Sequence, residues 1–129
     1  MDIAEKLKNA VLPHDVDGLD NFDPELIGTF GPLLHRALRR YFRATVRGIE
    51  NVPAGPAMIV GNHNAGITFL EPFLFGLEYY RLRGMSERLY FLGHDAVVNF
   101  PGLGHVLVRT GAVRASHANG RKILDAGAK

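Results

Sequence analysis

The sequence predicts an α/β protein in which a small sheet is flanked by helices. Short apolar runs typical of buried strands alternate with longer segments of helical apolar spacing, and turns rich in glycine or proline separate them. With 129 residues, the chain is long enough for one domain with its own core. It is too short for two independent catalytic domains.

Composition excludes several kinds of site. The chain has no cysteine, which excludes disulfide scaffolds, thiolate zinc sites, iron–sulfur clusters and thiol catalysis. Hydrophobic residues make up 47% and charged residues 22%, a mixture typical of a folded domain rather than a disordered chain. Because His94 and His105 lack metal-ligand spacing with each other and with His63, we expect no metal site.

The net charge of +2 conceals an uneven distribution. Residues 1–25 carry seven acids and two lysines, whereas the rest of the chain carries thirteen basic residues and six acids. This basic body favours anionic partners such as phosphorylated substrates, nucleic acid or a lipid surface, although an ordinary solvated surface explains the same imbalance. Nucleic acid is the weaker choice, because no recognition motif or aromatic platform accompanies the basic residues.

The N-terminal third predicts two helices. Residues 2–12 have helical apolar spacing and predict a short amphipathic helix, and the acidic, turn-rich stretch 13–25 predicts a surface connection. A second helix is predicted over about 32–43, with Pro32 at its first position. This helix has two opposite faces. The apolar face consists of Leu33, Leu34, Ala37, Leu38, Tyr41 and Phe42, and the arginine face consists of Arg36, Arg39, Arg40 and Arg43. This helix either covers the sheet with its apolar face or lies on anionic lipid with its arginines toward the headgroups.

The rest of the chain predicts strands that alternate with helices. Strands are predicted within 44–53 and at 57–61, 88–93 and 111–116, and helices at about 70–83, within 95–108 and over 117–127. The longest uncharged run, 51–70, contains prolines and polar side chains that a membrane span excludes. The N-terminus lacks the apolar core of a signal peptide. We therefore expect neither a transmembrane helix nor a signal peptide.

The most informative stretch is MIVGNHNAGITFLEP at 58–72. The predicted strand delivers Asn62 and His63 to its carboxyl edge, where ligands bind in open α/β sheets. A neutral histidine there can take a proton from a hydroxyl group if an acid holds its other ring nitrogen. A histidine after a strand can equally be structural, and these residues alone leave both interpretations open.

Three stretches of the sequence carry recognisable motifs: VRGIENVPAGPAMIVGNH, GPAMIVGNHNAG and FPGLGHVLVRTGAVRASHANGRKILDAG. In this order they resemble the lead-in, the first block and the second block of the glycerolipid and lysophospholipid acyltransferases. Together they cover about residues 41–129. Residues 1–43, before these blocks, are expected to form an N-terminal region of amphipathic helices and an acidic linker. The first part of an acyltransferase domain, with a partly complete sheet, would follow at 44–129.

The resemblance implies that His63 is a general base in a reaction without an acyl-enzyme intermediate. It would deprotonate a hydroxyl of a glycerolipid or lysophospholipid, which attacks the thioester of acyl-CoA or acyl-carrier protein. The family's usual first motif is His-x4-Asp, but Thr68 stands at the aspartate position and Glu71 is the nearest downstream acid. Either Glu71 orients His63, with Thr68 as a weaker candidate, or Glu71 caps a helix that begins with Pro72.

In the second block, Arg114 and His117 are the implied contacts to a phosphate of the substrate or the acyl donor, and Asn62 is a further substrate contact. Arg114 also suits a solvated strand face. The family's third block should begin just after LDAGAK, where the sequence ends. We therefore expect either the first part of an acyltransferase or a catalytically incomplete lipid-binding or assembly fragment, which self-associates through an exposed sheet edge. The resemblance implies no cofactor beyond the acyl donor and a peripheral location on the cytoplasmic side of a membrane.

Overall fold

The computed structural model describes residues 15–62 and 70–129, together with residues 2 and 4. Helix α1 (Pro24–Phe42) is followed by a 3-10 turn (Ile49–Asn51) and helix α2 (Leu70–Arg83). Strand β1 (Phe91–Gly93), helices α3 (Asp95–Val98) and α4 (Leu103–Arg109), strand β2 (Ala112–Arg114) and helix α5 (His117–Asp125) complete the described order. The helix predicted over 2–12 lies outside the described residues apart from positions 2 and 4.

Strands β1 and β2 form a parallel pair in which Phe91 lies opposite Ala112 and Gly93 opposite Arg114. Two helices, α3 and α4, connect them, as parallel neighbours require. This mixture of helices and parallel sheet is consistent with the predicted α/β class. Of the strand predicted at 88–93 the last three residues are confirmed as β1, and of the strand predicted at 111–116 residues 112–114 are confirmed as β2. The helices predicted at 70–83 and 117–127 are confirmed as α2 and α5.

Two of the predicted strands are wrong. Residues 57–61 form no strand, and in this segment Met58 and Val60 are 71% and 84% exposed. An apolar run becomes a buried strand only where a neighbour supplies backbone hydrogen bonds, and no described segment pairs with this one. Around 44–53 the chain is irregular apart from the 3-10 turn, which buries Ile49 against Tyr79 and Leu89.

Helix α1 begins at Pro24, well before the predicted start at Pro32. Asp23 is its N-cap, because Oδ1 of Asp23 accepts a hydrogen bond from the backbone N–H of Leu26 at 3.0 Å. Pro24 takes the first position, for which its fixed backbone angle is suited, and Pro32 lies inside the helix. Arg43, with a φ of 50°, ends it in the left-handed conformation.

The acidic stretch is packed against the C-terminal half rather than forming the predicted surface connection. Val16 and Phe22 are 7% and 6% exposed, and Val16 joins the core beside β2. The carbonyl of Val16 also accepts a hydrogen bond from the backbone N–H of Arg114 at 2.8 Å. The prediction was wrong because the many acidic residues of this stretch are typical of an exposed segment, whereas its two apolar residues, Val16 and Phe22, are buried.

Helix α1 packs against α2 through a face that the apolar pattern did not indicate. Ile27, Gly31 and His35, spaced four residues apart, are buried. The predicted apolar face is largely exposed, at 68% for Leu33, 42% for Leu34, 81% for Tyr41 and 50% for Phe42. The alternative in which this face covers the sheet is therefore wrong. No helix in the described part of the chain has the length and apolar content needed to cross a bilayer.

Candidate functional site

The predicted catalytic residues flank a segment that lies outside the described residues. His63 and Thr68 fall within that segment, so their geometry stays a prediction. Asn62, just before it, is exposed, and Glu71, just after it, lies in the first turn of α2.

Glu71 carries a buried oxygen that needs a donor. Its Oε2 is shielded from solvent and has no hydrogen-bond partner among the described residues. A carboxylate oxygen removed from water costs free energy unless a donor meets it. The predicted capping role of Glu71 is wrong, since Glu71 and Pro72 both lie inside Leu70–Arg83. The helix dipole favours a negative charge in the first turn, but it does not supply the hydrogen-bond donor that Oε2 of Glu71 lacks among the described residues.

Arg114 lies at the carboxyl end of β2, where Asp17 holds its guanidinium. Arg114 Nε donates to Asp17 Oδ1 at 3.0 Å, and Nη2 of the same arginine contacts Oδ2. Asn119, which is 3% exposed, donates from Nδ2 to Asp17 Oδ1 at 2.7 Å and to the carbonyl of Arg114 at 2.8 Å. The hydrogen bond from Asn119, followed by that from Arg114, holds the pKa of Asp17 below its usual range. A phosphate at Arg114 would have to compete with this carboxylate.

His117 is the first residue of α5 and is exposed. Ser116 caps this helix, with its Oγ accepting from the backbone N–H of Asn119 at 3.0 Å. Arg114 is thus the last residue of β2 and His117 the first of α5, within the strand and the helix that the sequence predicted. The residues that position them were not predicted, because Asp17 lies 97 residues before Arg114 and no local pattern connects the two.

A buried charged cluster between α1 and α2 was also missed by the sequence analysis. His35 Nε2 lies 2.5 Å from Glu78 Oε2, and these residues are 7% and 5% exposed. Arg81 donates from Nε to the same oxygen at 3.2 Å and from Nη2 to Oε1 at 2.5 Å. The Arg81 guanidinium is the largest cause of a lowered pKa at Glu78, which burial opposes and His35 supports. The available sequence signal was the i,i+3 spacing of Glu78 and Arg81.

A groove of about 800 Å³ runs between α1 and α2 beside this cluster. The apolar side chains that line it include Ile27, Leu77 and Met85. The basic side chains that line it are Arg36, Arg39, Arg40, Arg43 and Arg81. None of the described residues that line the groove is acidic. The groove therefore offers an apolar surface and a concentration of positive charge to the same ligand.

Comparisons with known proteins match the same part of the chain that carries the resemblance. A family model described as Acyltransferase matches residues 43–126. An uncharacterized protein of Mycobacterium tuberculosis is 28% identical over 108 residues, and one of Mycobacterium leprae is 30% identical over 108 residues. These regions cover 82% of this chain but only 30% and 29% of the two relatives, so the chain spans less than a third of their length. No solved structure matches the chain.

Proposed function

Because the chain belongs to the acyltransferase family, we propose that it is part of an enzyme that acylates a hydroxyl of a glycerolipid or lysophospholipid. The acyl donor in this proposal is acyl-CoA or acyl-carrier protein. The observation that carries it is the family match over residues 43–126, which includes the Asn62–His63 pair and the segment from Arg114 to His117. Since the chain spans less than a third of its relatives, the activity is proposed for a longer protein that contains it.

His63 is the proposed general base, and Glu71 is the proposed acid that orients it. The support is the buried, unpartnered Oε2 of Glu71 among the described residues, eight positions after His63. An imidazole N–H donated to this oxygen would satisfy it and would make the other ring nitrogen more basic. Thr68 remains the alternative partner of His63.

The proposed reaction is a direct transfer. As His63 takes the proton of the acceptor hydroxyl, the hydroxyl oxygen attacks the thioester carbonyl and forms the ester bond. The carbon–sulfur bond breaks, and the departing thiolate receives the proton from His63. Positioning of the two substrates supplies the rest of the rate acceleration.

Asn62, Arg114 and His117 are the proposed contacts to the acceptor or to the phosphates of the donor. Arg114 is supported by its place at the carboxyl end of a parallel strand, where α/β sheets bind ligands. Its guanidinium suits a phosphate, which would replace the Asp17 carboxylate with an anion of greater charge.

A peripheral position on an anionic membrane surface belongs to the same proposal. The exposed apolar residues of α1 and its nearby arginines support it, because such a helix places apolar side chains among acyl chains and cations among headgroups. The test is sedimentation with vesicles: binding to anionic vesicles should weaken with salt, and equal binding to neutral vesicles would contradict the electrostatic part.

The catalytic proposal is tested by His63→Ala in a protein that carries this chain together with the third block of the family. We expect acyl transfer to fall by a factor of about 10² to 10⁴ while the free energy of unfolding stays nearly unchanged. Glu71→Gln should also slow the transfer, and Glu50→Gln, at an exposed position, is its matched control. Wild-type turnover by His63→Ala would refute the mechanism.

A second candidate is a catalytically incomplete lipid-binding or assembly fragment. The exposed apolar residues Met58, Ile59 and Val60 favour it, because an unpaired apolar segment promotes association. The 129-residue chain alone should then show little or no transferase activity with either donor and should self-associate in sedimentation velocity experiments. Robust turnover by this chain would exclude the second candidate.

A further inference from the structure

Along α1, the wall of the groove between α1 and α2 changes from apolar to basic. The residues that line it along α1 are apolar or small near Ile27 and basic from Arg36 onward. Because a helix rises 1.5 Å per residue, Ile27 and Arg40 lie about 20 Å apart along its axis. On the opposite wall, Leu77 and Met85 add apolar surface. The volume of about 800 Å³ is typical of sites that bind small molecules.

Four of the five arginines that line the groove have no described carboxylate beside them. We call Arg36, Arg39, Arg40 and Arg43 the arginine cluster. No carboxylate of a described residue lies within 4.0 Å of a charged nitrogen in this cluster. Each member has another member three or four positions away along the chain, a spacing at which like charges on a helix surface repel one another. An anion bound between them would remove this repulsion.

The wall formed by α2 is held in place by buried contacts. A Cβ on Gly31 would lie 3.1 Å from Leu77 Cδ2, so the glycine is what lets the two helices approach closely. Glu78, bonded to His35, fixes the Arg81 guanidinium through Nε and Nη2. The remaining nitrogen, Nη1, is left to bind a ligand, and the Arg81 side chain is 52% exposed.

We infer that this groove binds a phosphorylated lipid, with the phosphate at the arginine cluster and Arg81 and the acyl chain along Ile27, Leu77 and Met85. Guanidinium groups match phosphate oxygens in geometry and charge, so a phosphate is the headgroup that the basic part favours. The apolar part favours methylene groups, which gain by leaving water. None of the described residues proposed for acyl transfer, Asn62, Glu71, Arg114 and His117, lines the groove, and the inference does not depend on that reaction.

The test is calorimetric titration of the chain with dihexanoyl phosphatidate kept below its aggregation concentration. Two further probes separate the parts of the ligand: inorganic phosphate carries the charge alone, and dihexanoyl phosphatidylcholine carries the chains with a zwitterionic headgroup. We expect the phosphatidate to bind about tenfold or more tightly than either. Equal affinity for inorganic phosphate would overturn the lipid assignment in favour of a bare phosphate site, and equal affinity for the phosphatidylcholine would overturn the role of the arginines.

Variants locate the site within the chain. R36Q/R40Q should weaken phosphatidate binding about tenfold, whereas R47Q/R121Q, with the same charge change at exposed positions outside the groove, should leave it nearly unchanged. Met85→Gln should weaken phosphatidate binding but not the binding of inorganic phosphate. Equal losses in the two double variants would overturn the proposal, because they would indicate attraction by net charge alone.

The titration contains no acyl donor, so its failure would leave the proposed acyl transfer standing. Conversely, unchanged transfer by His63→Ala would leave the groove site standing. Thermal unfolding of each variant, Met85→Gln included, verifies that the fold is retained. For the arginine variants we expect this because exposed charges contribute little to stability.

Discussion

Replacing Glu78 with alanine should lower the free energy of unfolding by about 2–3 kcal/mol. The carboxylate lies between His35 of α1 and Arg81 of α2 and is 5% exposed. The substitution removes the acceptor that lies 2.5 Å from His35 Nε2 and leaves that ring nitrogen in a site where His35 is 7% exposed. The contact between α1 and α2 loses its buried polar link.

The magnitude follows from the two bonds that are lost. A buried polar group left without its partner costs about 1–3 kcal/mol. The ion pair with Arg81 adds less than about 1 kcal/mol, because the arginine side chain is 52% exposed and water screens its charge. The central value of the two contributions together is about 2.5 kcal/mol.

The assay is urea unfolding followed by far-ultraviolet circular dichroism at pH 7, with Glu50→Ala as the control. Glu50 is exposed, and its substitution should change the free energy of unfolding by less than about 0.5 kcal/mol. A double-mutant cycle with His35→Ala should give a coupling energy of about 1–2 kcal/mol. A loss at Glu78→Ala no larger than at Glu50→Ala, or a coupling energy near zero, would refute the assignment of the pair as the link between the helices.

Three further predictions concern turns, pH and the acidic stretch. Gly111 has a φ of 108° and a Cβ there would lie 2.6 Å from the carbonyl oxygen of Leu89, so Gly111→Ala should cost about 2 kcal/mol or more in urea unfolding. Gly127→Ala, with a φ of 77° and no described atom within 4 Å of the new Cβ, should cost about 1 kcal/mol, and equal losses would contradict the close approach. The Gly55 N–H, Lys129 and Tyr79 lower the pKa of Glu87 to about 2, so its contribution to stability is complete above its ordinary pKa of 4.5 and is lost as the pH falls toward 2. Glu87→Gln should therefore flatten the stability curve in that range, and an unchanged slope would count against these contacts. Asp17→Asn should lower the urea midpoint more than Asp20→Asn, because Asp17 bonds Arg114 and Asn119 whereas Asp20 is exposed; equal midpoints would argue against a structural role for Asp17.

The sequence by itself determined the α/β class, the family and the elements whose pattern is local. Helices α2 and α5 and strands β1 and β2 were predicted because apolar spacing and turn residues within each segment decide those structures. The motif blocks were equally readable, since they are runs of neighbouring residues. They led to the family that the match over 43–126 shows. His63 and Thr68, which lie outside the described residues, and the roles of Glu71, Asn62, Arg114 and His117 stay predictions.

The tertiary structure decided which surfaces meet. The apolar residues of α1 predicted a buried face, yet the buried residues are Ile27, Gly31 and His35. Gly31 leaves room for Leu77, and His35 contacts Glu78, which lies 43 residues further along the chain. The apolar run at 57–60 is not a strand, because strand formation depends on a hydrogen-bonding neighbour that the run cannot supply. Hydrophobic periodicity measures what one segment offers for burial, whereas burial itself requires a complementary surface from a distant part of the chain.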